Sequence, residues 1–221
     1  MAEVNLETAT AYHAWDWHWR NDMDRAEWLV PEPEVMEVIE LLRLRGASRV
    51  LDLGCGVGRH LVPLARAGFE THGLDGSETG LAHSRRALEE AGLAAVLRLG
   101  LMTALPYADR SFDYVLAFNV IYHGDETVVR RTVAEIQRLL HPGGLYQGTM
   151  LSKRNINYGC GTEVAPNTWT REGDLDKGHP HSYCNAAGLL SMFAGFEPLS
   201  LVDRVHRKPG SWHWHLLAER T

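Results

Sequence analysis

Val50-Leu51-Asp52-Leu53-Gly54-Cys55-Gly56-Val57-Gly58-Arg59 decides how this chain of 221 residues is read. An apolar, β-prone run meets an acid and then a turn with glycine at every second position. A helical pattern follows, from Arg59 through Leu61, Leu64 and Ala65 to Ala67. That is a strand, a glycine-rich loop and a helix start. Glycine lets the backbone turn sharply and lets a ligand approach main-chain N–H groups with no Cβ in the way. Free N–H groups at a helix start suit an anionic or carboxylate-bearing ligand. The spacing is Gly-x-Gly-x-Gly, which differs from the dinucleotide fingerprint Gly-x-Gly-x-x-Gly. One strand later, Thr71-His72-Gly73-Leu74-Asp75 ends in a second acid, placed to take both ribose hydroxyls of a nucleoside.

Outward from these motifs the chain alternates strand and helix. Pro31 to Arg45 reads as a helix, with Val35, Val38, Ile39 and Leu42 at i, i+3, i+4 and i+7. Strands are expected at 49–53, 70–74, 95–99, 114–118 and 145–151, with helices at 58–67, 77–91 and 125–140 between them. This regular alternation makes a doubly wound α/β fold the economical solution: a mostly parallel sheet with helices on both faces. Ligands of such sheets bind beyond the carboxyl ends of the strands. Asp52, Asp75, Leu101 and Asn119 all stand at those ends. A short helix at 185–193 and two strands, 197–205 and 212–218, follow. The turn Lys208-Pro209-Gly210-Ser211 joins those strands as a C-terminal antiparallel hairpin.

Two segments depart from the alternation. Residues 1–30 carry Tyr12, Trp15, Trp17, Trp19 and Arg20, and Trp15-Asp16-Trp17-His18-Trp19 alternates as a strand would. Such an arm either packs on the surface or acts as a lid, its tryptophans excluding water and Tyr12 or Arg20 meeting a ligand carboxylate. Residues 152–183 are polar, punctuated by glycine and proline, and without periodicity. A loop of this length is usually functional or disordered. Tyr158, Trp169 and Tyr183 argue that it is ordered, and it is read as a substrate-covering insertion. The whole chain, 1–221, is read as a single domain.

Leu51-Asp52-Leu53-Gly54-Cys55-Gly56-Val57-Gly58 and Gly73-Leu74-Asp75-Gly76-Ser77 closely resemble the first two motifs of the class I S-adenosylmethionine (SAM) methyltransferases. The resemblance implies a Rossmann-like sheet and SAM as cofactor. It places Gly54, Cys55 and Gly56 at the methionine part of SAM and Asp52 at its amino group. Asp75 then takes the ribose hydroxyls, and Gly76 and Ser77 lie beside the adenine. Met102 contacts the adenine ring, and Asn119 and Val120 line the methionine side. Related enzymes often carry an acid just before the Met102 position; here Leu101 stands there, so adenine recognition falls to main-chain groups and apolar contact. Within the class, the C-terminal third is similar to the small-molecule branch that contains the tellurite-resistance methyltransferases. The matching features are Tyr12, the His206-Arg207 pair, the hairpin and the closing Leu216-Leu217-Ala218-Glu219-Arg220.

Composition bounds the function. The net charge is −6 and no long Lys/Arg run occurs, so a nucleic-acid substrate is not expected. No apolar run approaches a membrane span, and the first residues lack a signal core; the expected compartment is the cytoplasm. The oligomeric state does not follow from the sequence. The expected reaction is in-line methyl transfer to a small molecule, in which alignment of the nucleophile supplies much of the rate. A hydroxyl or amine acceptor also needs a base near neutral pKa, and histidine suits that role. Among 12 histidines, the candidates are His123, His179, His181 and His206, with Arg207 holding an anionic substrate. The alternatives are a thiol or a soft element such as tellurium, selenium or arsenic, held by Cys160 and Cys184, and a protein acceptor. His179-x-His181-x-x-Cys184 has zinc-ligand types at a spacing that is not a standard site, so no metal is expected.

Overall fold

The structure, a computed structural model, describes residues 8–174 and 176–221. The N-terminal arm is helical: α1 (Ala11–His18) and α2 (Asp22–Ala26) precede α3 (Pro33–Leu44). The expected strand-like reading of the arm is therefore wrong. Tyr12, Trp15 and Trp19 fall at i, i+3 and i+7, one helical face, and Trp17 is left half-exposed on another.

β1 (Arg49–Leu53), α4 (Leu61–Arg66), β2 (Glu70–Asp75), α5 (Glu78–Glu90), β3 (Val96–Leu99), β4 (Phe112–Ala117), α6 (Glu126–Leu139) and β5 (Leu140–Ser152) follow in the expected order. α4 starts three residues later than expected, because the turn with three left-handed glycines, at 54, 56 and 58, runs into a further turn before the helix begins. β5 starts earlier, through a bulge at residues 141–144 that separates the pairs Phe112↔Leu140 and Tyr114↔Leu145. The two sheet faces are filled as the apolar patterns require. Val35, Val38, Ile39 and Leu42 of α3 pack with Val50, Tyr114 and Leu116 on one side. Val129, Val133 and Ile136 of α6 pack with Leu51, Leu53 and Val115 on the other.

Residues 152–183 are not the expected loop. They form β6 (Thr162–Ala165), β7 (Thr168–Thr170) and most of β8 (His181–Cys184), an antiparallel meander. β8 pairs in parallel with the last two residues of β5, Leu151↔Tyr183 and Ser152↔Cys184. After α7 (Ala186–Met192), β9 (Phe196–Val205) and β10 (Trp212–Arg220) form the expected hairpin. β10 runs antiparallel along the opposite edge of β5. The main order is therefore β3-β2-β1-β4-β5-β10-β9. β8 takes up the β4 edge of β5 where β4 has ended, and this holds the meander at the carboxyl end of the sheet. Among the described residues, no helix is long and apolar enough to cross a membrane.

Candidate active site

The carboxyl ends of β1 to β4 and the aromatic arm line one open cavity. The glycine loop forms its floor. Gly54 and Gly56 have φ of +68° and +51°, where an L side chain is strained. They also have no room: a Cβ on Gly54 would collide with Val120, and one on Gly56 would stand 2.9 Å from Cζ2 of Trp19. The loop amides differ from the expectation of free donors. Gly54 N and Cys55 N donate to Leu74 O, and Gly56 N donates to Asp75 Oδ2 at 2.7 Å. Ser77 N donates to Asp75 Oδ1 at 2.8 Å. The Asp75 carboxylate keeps acceptor capacity beyond these bonds, and Asp75 lines the cavity. Burial pushes its pKa up, against the hydrogen bonds from Ser77, Gly56 and Gly76.

The arm is fastened through Asp16. Its Oδ1 accepts from Ser77 Oγ at 2.8 Å and Thr79 N at 3.0 Å, at the start of α5. Burial alone would raise this carboxyl, but the bonds from Thr79, Ser77 and Arg20 hold it at about 2. Docked in this way, α1 and the turn after α2 bring Tyr12, Trp15, Trp19 and Trp28 into the cavity wall. Trp15 and Trp28 meet edge to face at 5.1 Å. Arg59 joins the wall from the glycine loop, 2.9 Å from Glu32 and 5.1 Å from the Trp28 ring centroid. Burial lowers its pKa to about 10 despite the Glu32 charge.

Of the residues expected at the cofactor, Tyr12, Gly54, Cys55, Gly56, Asp75 and Gly76 line the cavity, and so do Leu101, Met102, Asn119 and Val120. Three do not. Arg20 points to solvent and pairs with Asp16. Ser77 is fully buried as the N-cap of α5. Asp52 is buried within the sheet; its Oδ2 has no partner, and burial pushes its pKa up to about 8, with Arg59 opposing and Asp75 adding.

Of the residues expected in catalysis, His123 alone lines the cavity. His206 and Arg207 lie behind the wall. The His206 ring meets Asn119 Nδ2 at 3.3 Å and Phe118, while Arg207 pairs with Glu32 and donates to Glu27 O at 2.7 Å. The hairpin stands on the far edge of β5, so its loop reaches the back of the wall. His181 is fully buried on β8, where it bridges to His123. No described residue of 152–183 lines the cavity, because the meander satisfies its aromatics internally: Trp169 packs on Tyr158 at 4.7 Å and Tyr183 at 5.8 Å. Cys160 is exposed, and Cys184 is buried in the main core with its pKa pushed up to about 12 by burial. Neither cysteine lines the cavity. Trp28, Phe118, Arg59 and His60 are wall residues that the sequence did not single out as such. Arg59 had one signal, its place directly after the third glycine.

Comparison with known proteins agrees with this geometry. Residues 50–144 match the family model described as a methyltransferase domain. The chain is 33% identical over 172 residues to the ubiquinone biosynthesis O-methyltransferase of Ruegeria pomeroyi, covering 76% of this chain and 67% of that one. Among solved structures, the 1,6-didemethyltoxoflavin-N1-methyltransferase of Burkholderia thailandensis superposes with a TM-score of 0.72 at 16% identity, over 100% of this chain and 92% of that one. The magnesium protoporphyrin IX methyltransferase of Synechocystis PCC 6803, solved with bound SAM, gives 0.64 at 17% identity, over 97% of this chain and 93% of that one. The acid-bounded glycine loop, the strand order and these relatives agree: the chain belongs to the class I SAM-dependent methyltransferases and takes SAM as its cofactor.

Proposed function

We propose that the enzyme methylates an oxygen of a small, largely apolar molecule held against SAM under the N-terminal arm. The observation that carries this reading is the single cavity shared by the strand ends and the arm tryptophans. Its aromatic wall suits an apolar acceptor more than a peptide chain or a nucleic acid. The oxygen acceptor follows the O-methyltransferase relative. With neither cysteine in the wall, nothing favours a thiolate-held soft element.

The residues fit SAM. The glycine loop brings its backbone to the cavity beside Asn119 and Val120, where the methionine part would lie. Asp75 offers its remaining lone pairs to the ribose. Met102 and Leu101 flank the adenine, Tyr12 stands near the carboxylate, and the unpartnered carboxyl of Asp52 is available to the amino group from below. SAM supplies an electrophilic methyl on a sulfonium. The chain supplies alignment, and Trp15, Trp19 and Trp28 exclude water. Histidine assistance falls to His123. Its Nε2 meets Asn119 O at 3.1 Å and its Nδ1 meets His179 Nε2 at 2.8 Å. With both nitrogens engaged, His123 shapes and polarises the wall and is not a free base. The 1–221 chain acts as one domain in this reading, with the arm as its lid.

Asp75→Ala tests it. Two hydrogen bonds to a charged acceptor are worth about 1.5–3 kcal/mol each, so SAM affinity by calorimetry should fall more than tenfold while circular dichroism stays native. Unchanged affinity would remove Asp75 from the site. Product analysis by mass spectrometry over a panel of small hydroxylated aromatics, thiols and peptides should find turnover only with the first. Turnover confined to thiols or peptides would overturn the acceptor assignment.

A further inference from the structure

Behind the cavity wall, three histidine rings from two distant parts of the chain converge. His123 comes from the loop after β4, His179 from the turn before β8, and His181 from β8 itself. The ring centroids are 4.9, 4.7 and 4.4 Å apart, and one nitrogen from each lies within 4.8 Å of the other two. All three are buried, at 5%, 6% and 0% exposure. From this geometry we propose that His123 Nδ1, His179 Nε2 and His181 Nε2 hold a divalent transition-metal ion of the zinc type.

The hydrogen bonds around the cluster select those atoms. A carbonyl oxygen only accepts, so His123 Nε2–H donates to Asn119 O at 3.1 Å and His181 Nδ1–H donates to His179 O at 2.8 Å. Each bond leaves the other nitrogen of a neutral ring as a bare lone pair turned inward. Donation of the outer N–H to a backbone carbonyl is what orients ligating histidines. Burial disfavours the charged form of all three rings, and metals bind the neutral imidazole.

Without an ion the cluster is not satisfied. His123 Nδ1 and His179 Nε2 face each other at 2.8 Å, so one must donate to the other. With His123 fixed as acceptor, His179 donates from Nε2, and its Nδ1 becomes a second bare lone pair. His181 Nε2 is buried with no hydrogen-bond partner, an uncompensated desolvation cost. A tetrahedral ion with Zn–N bonds of about 2.0–2.1 Å separates its ligand nitrogens by roughly 3.3 Å. The closest pair here must open by about half an ångström, and no pair needs to close by more than about one and a half. Ring rotations within one packed cluster can supply both. The ion takes up the His181 lone pair and ends the His123–His179 contact.

A fourth donor is at hand. Asp176 Oδ1 lies 3.9 Å from His181 Nε2, and the other oxygen pairs with Lys177 at 3.0 Å. Three imidazoles and one carboxylate make a closed site, the arrangement of structural metal ions. Cys184 does not take part: it lies three residues from His181 on a strand, which puts it on the opposite face. An ion here would clip the turn before β8 to the loop after β4 and lock the His123 ring in the cavity wall.

The site does not depend on the methyl-transfer reading, and the test keeps the two apart. Tag-free protein is stripped with chelator, checked by circular dichroism, and titrated with Zn2+ and with Co2+. We expect one ion per chain by mass spectrometric metal analysis, ligand-field bands of tetrahedral Co2+, and a higher melting temperature with Zn2+ that chelator reverses. His179→Ala and His181→Gln should each lose the bands and the thermal shift, and Asp176→Asn should weaken binding. Folded wild-type protein that takes up neither ion would overturn the proposal, as would bands that persist in both histidine variants. Should those variants fail to fold, the wild-type titration still decides. A thermal shift with SAM on the same stripped protein reads the methyltransferase site independently of the metal.

Discussion

Residues 9–28 and residues 152–184 both carry tryptophan, tyrosine and histidine, yet only the first contributes side chains to the cavity. In the arm, helical geometry gathers Tyr12, Trp15 and Trp19 on one face, and Asp16 fastens that face to the start of α5. In the meander, strand pairing turns Trp169, Tyr158 and Tyr183 toward one another. Aromatic content alone therefore does not make a lid. What matters is whether the backbone leaves an aromatic face unpaired beside the site. The meander reaches the site indirectly, through His181 and His179 behind His123.

The two regions should separate most clearly in their response to pH. Asp52, under the cavity, has a folded pKa near 8 against 3.8 in the unfolded chain. The folded state holds the extra proton between those values, so stability from this group is full below pH 4 and falls as pH rises toward 8. Asp52→Asn should remove that fall and stabilise the cofactor-free protein at pH 8, by up to about 5 kcal/mol at about 1.4 kcal/mol per unit. Asp174, in the meander, has the opposite sign. Burial raises it, but N–H groups of Lys177 and Asp176 bring it below its ordinary value. Its contribution is present above pH 4 and lost below, so Asp174→Ala should cost stability at neutral pH and nothing in acid. Denaturant melts from about pH 2 to pH 8 measure both, and equal slopes in wild type and Asp52→Asn would erase the contrast.

Next in size is cofactor affinity. Trp15→Ala/Trp19→Ala should weaken SAM binding more than tenfold, since a large side chain that is fully buried, as Trp19 is, is worth about 1.5–3 kcal/mol. Trp169→Ala should lower the melting temperature and leave SAM affinity within about twofold, a difference of about 0.4 kcal/mol. Equal losses in the two variants would break the comparison.

Gly56→Ala sharpens it further. The new Cβ meets Trp19 at 2.9 Å from a left-handed backbone, a cost of about 1–3 kcal/mol. Adding Trp19→Ala should return part of that cost, a coupling that a double-mutant cycle on stability reads directly. Full additivity would mean that the arm does not rest on the loop. The smallest effect is expected from Cys160→Ser/Cys184→Ser, which should keep turnover within about threefold, a change of about 0.7 kcal/mol. Complete loss in a folded variant that still binds SAM would restore the thiolate alternative.

The elements that were legible in the sequence are those set by near neighbours. Strand runs, the alternating glycines and the helix at 31–45 depend on residues a few positions apart, and ten of the residues expected at the cofactor line one cavity. Asp52 shows the limit. Its place at the end of β1 is local information, but its burial depends on what α3, β4 and Arg59 pack around it. The arm shows another: Trp15, Trp17 and Trp19 fit a two-residue period, and Tyr12, Trp15 and Trp19 fit a helical one. Docking on Gly56, Gly76 and Gly80 selects the helix.

His206 and Arg207 were drawn toward the site by their place in the hairpin and by family likeness. Glu32, 175 positions before Arg207, pairs with it behind the wall instead, and His206 meets Asn119 and Phe118 there. The histidine cluster lies furthest from sequence reading. It exists because β5 outruns β4 by enough residues for β8 to pair with the overhang, which sets His181 against His123. Local spacing records neither the length of that overhang nor the register that fills it. Both follow from long-range strand pairing, whose hydrogen bonds and buried faces are satisfied only when the whole sheet has formed.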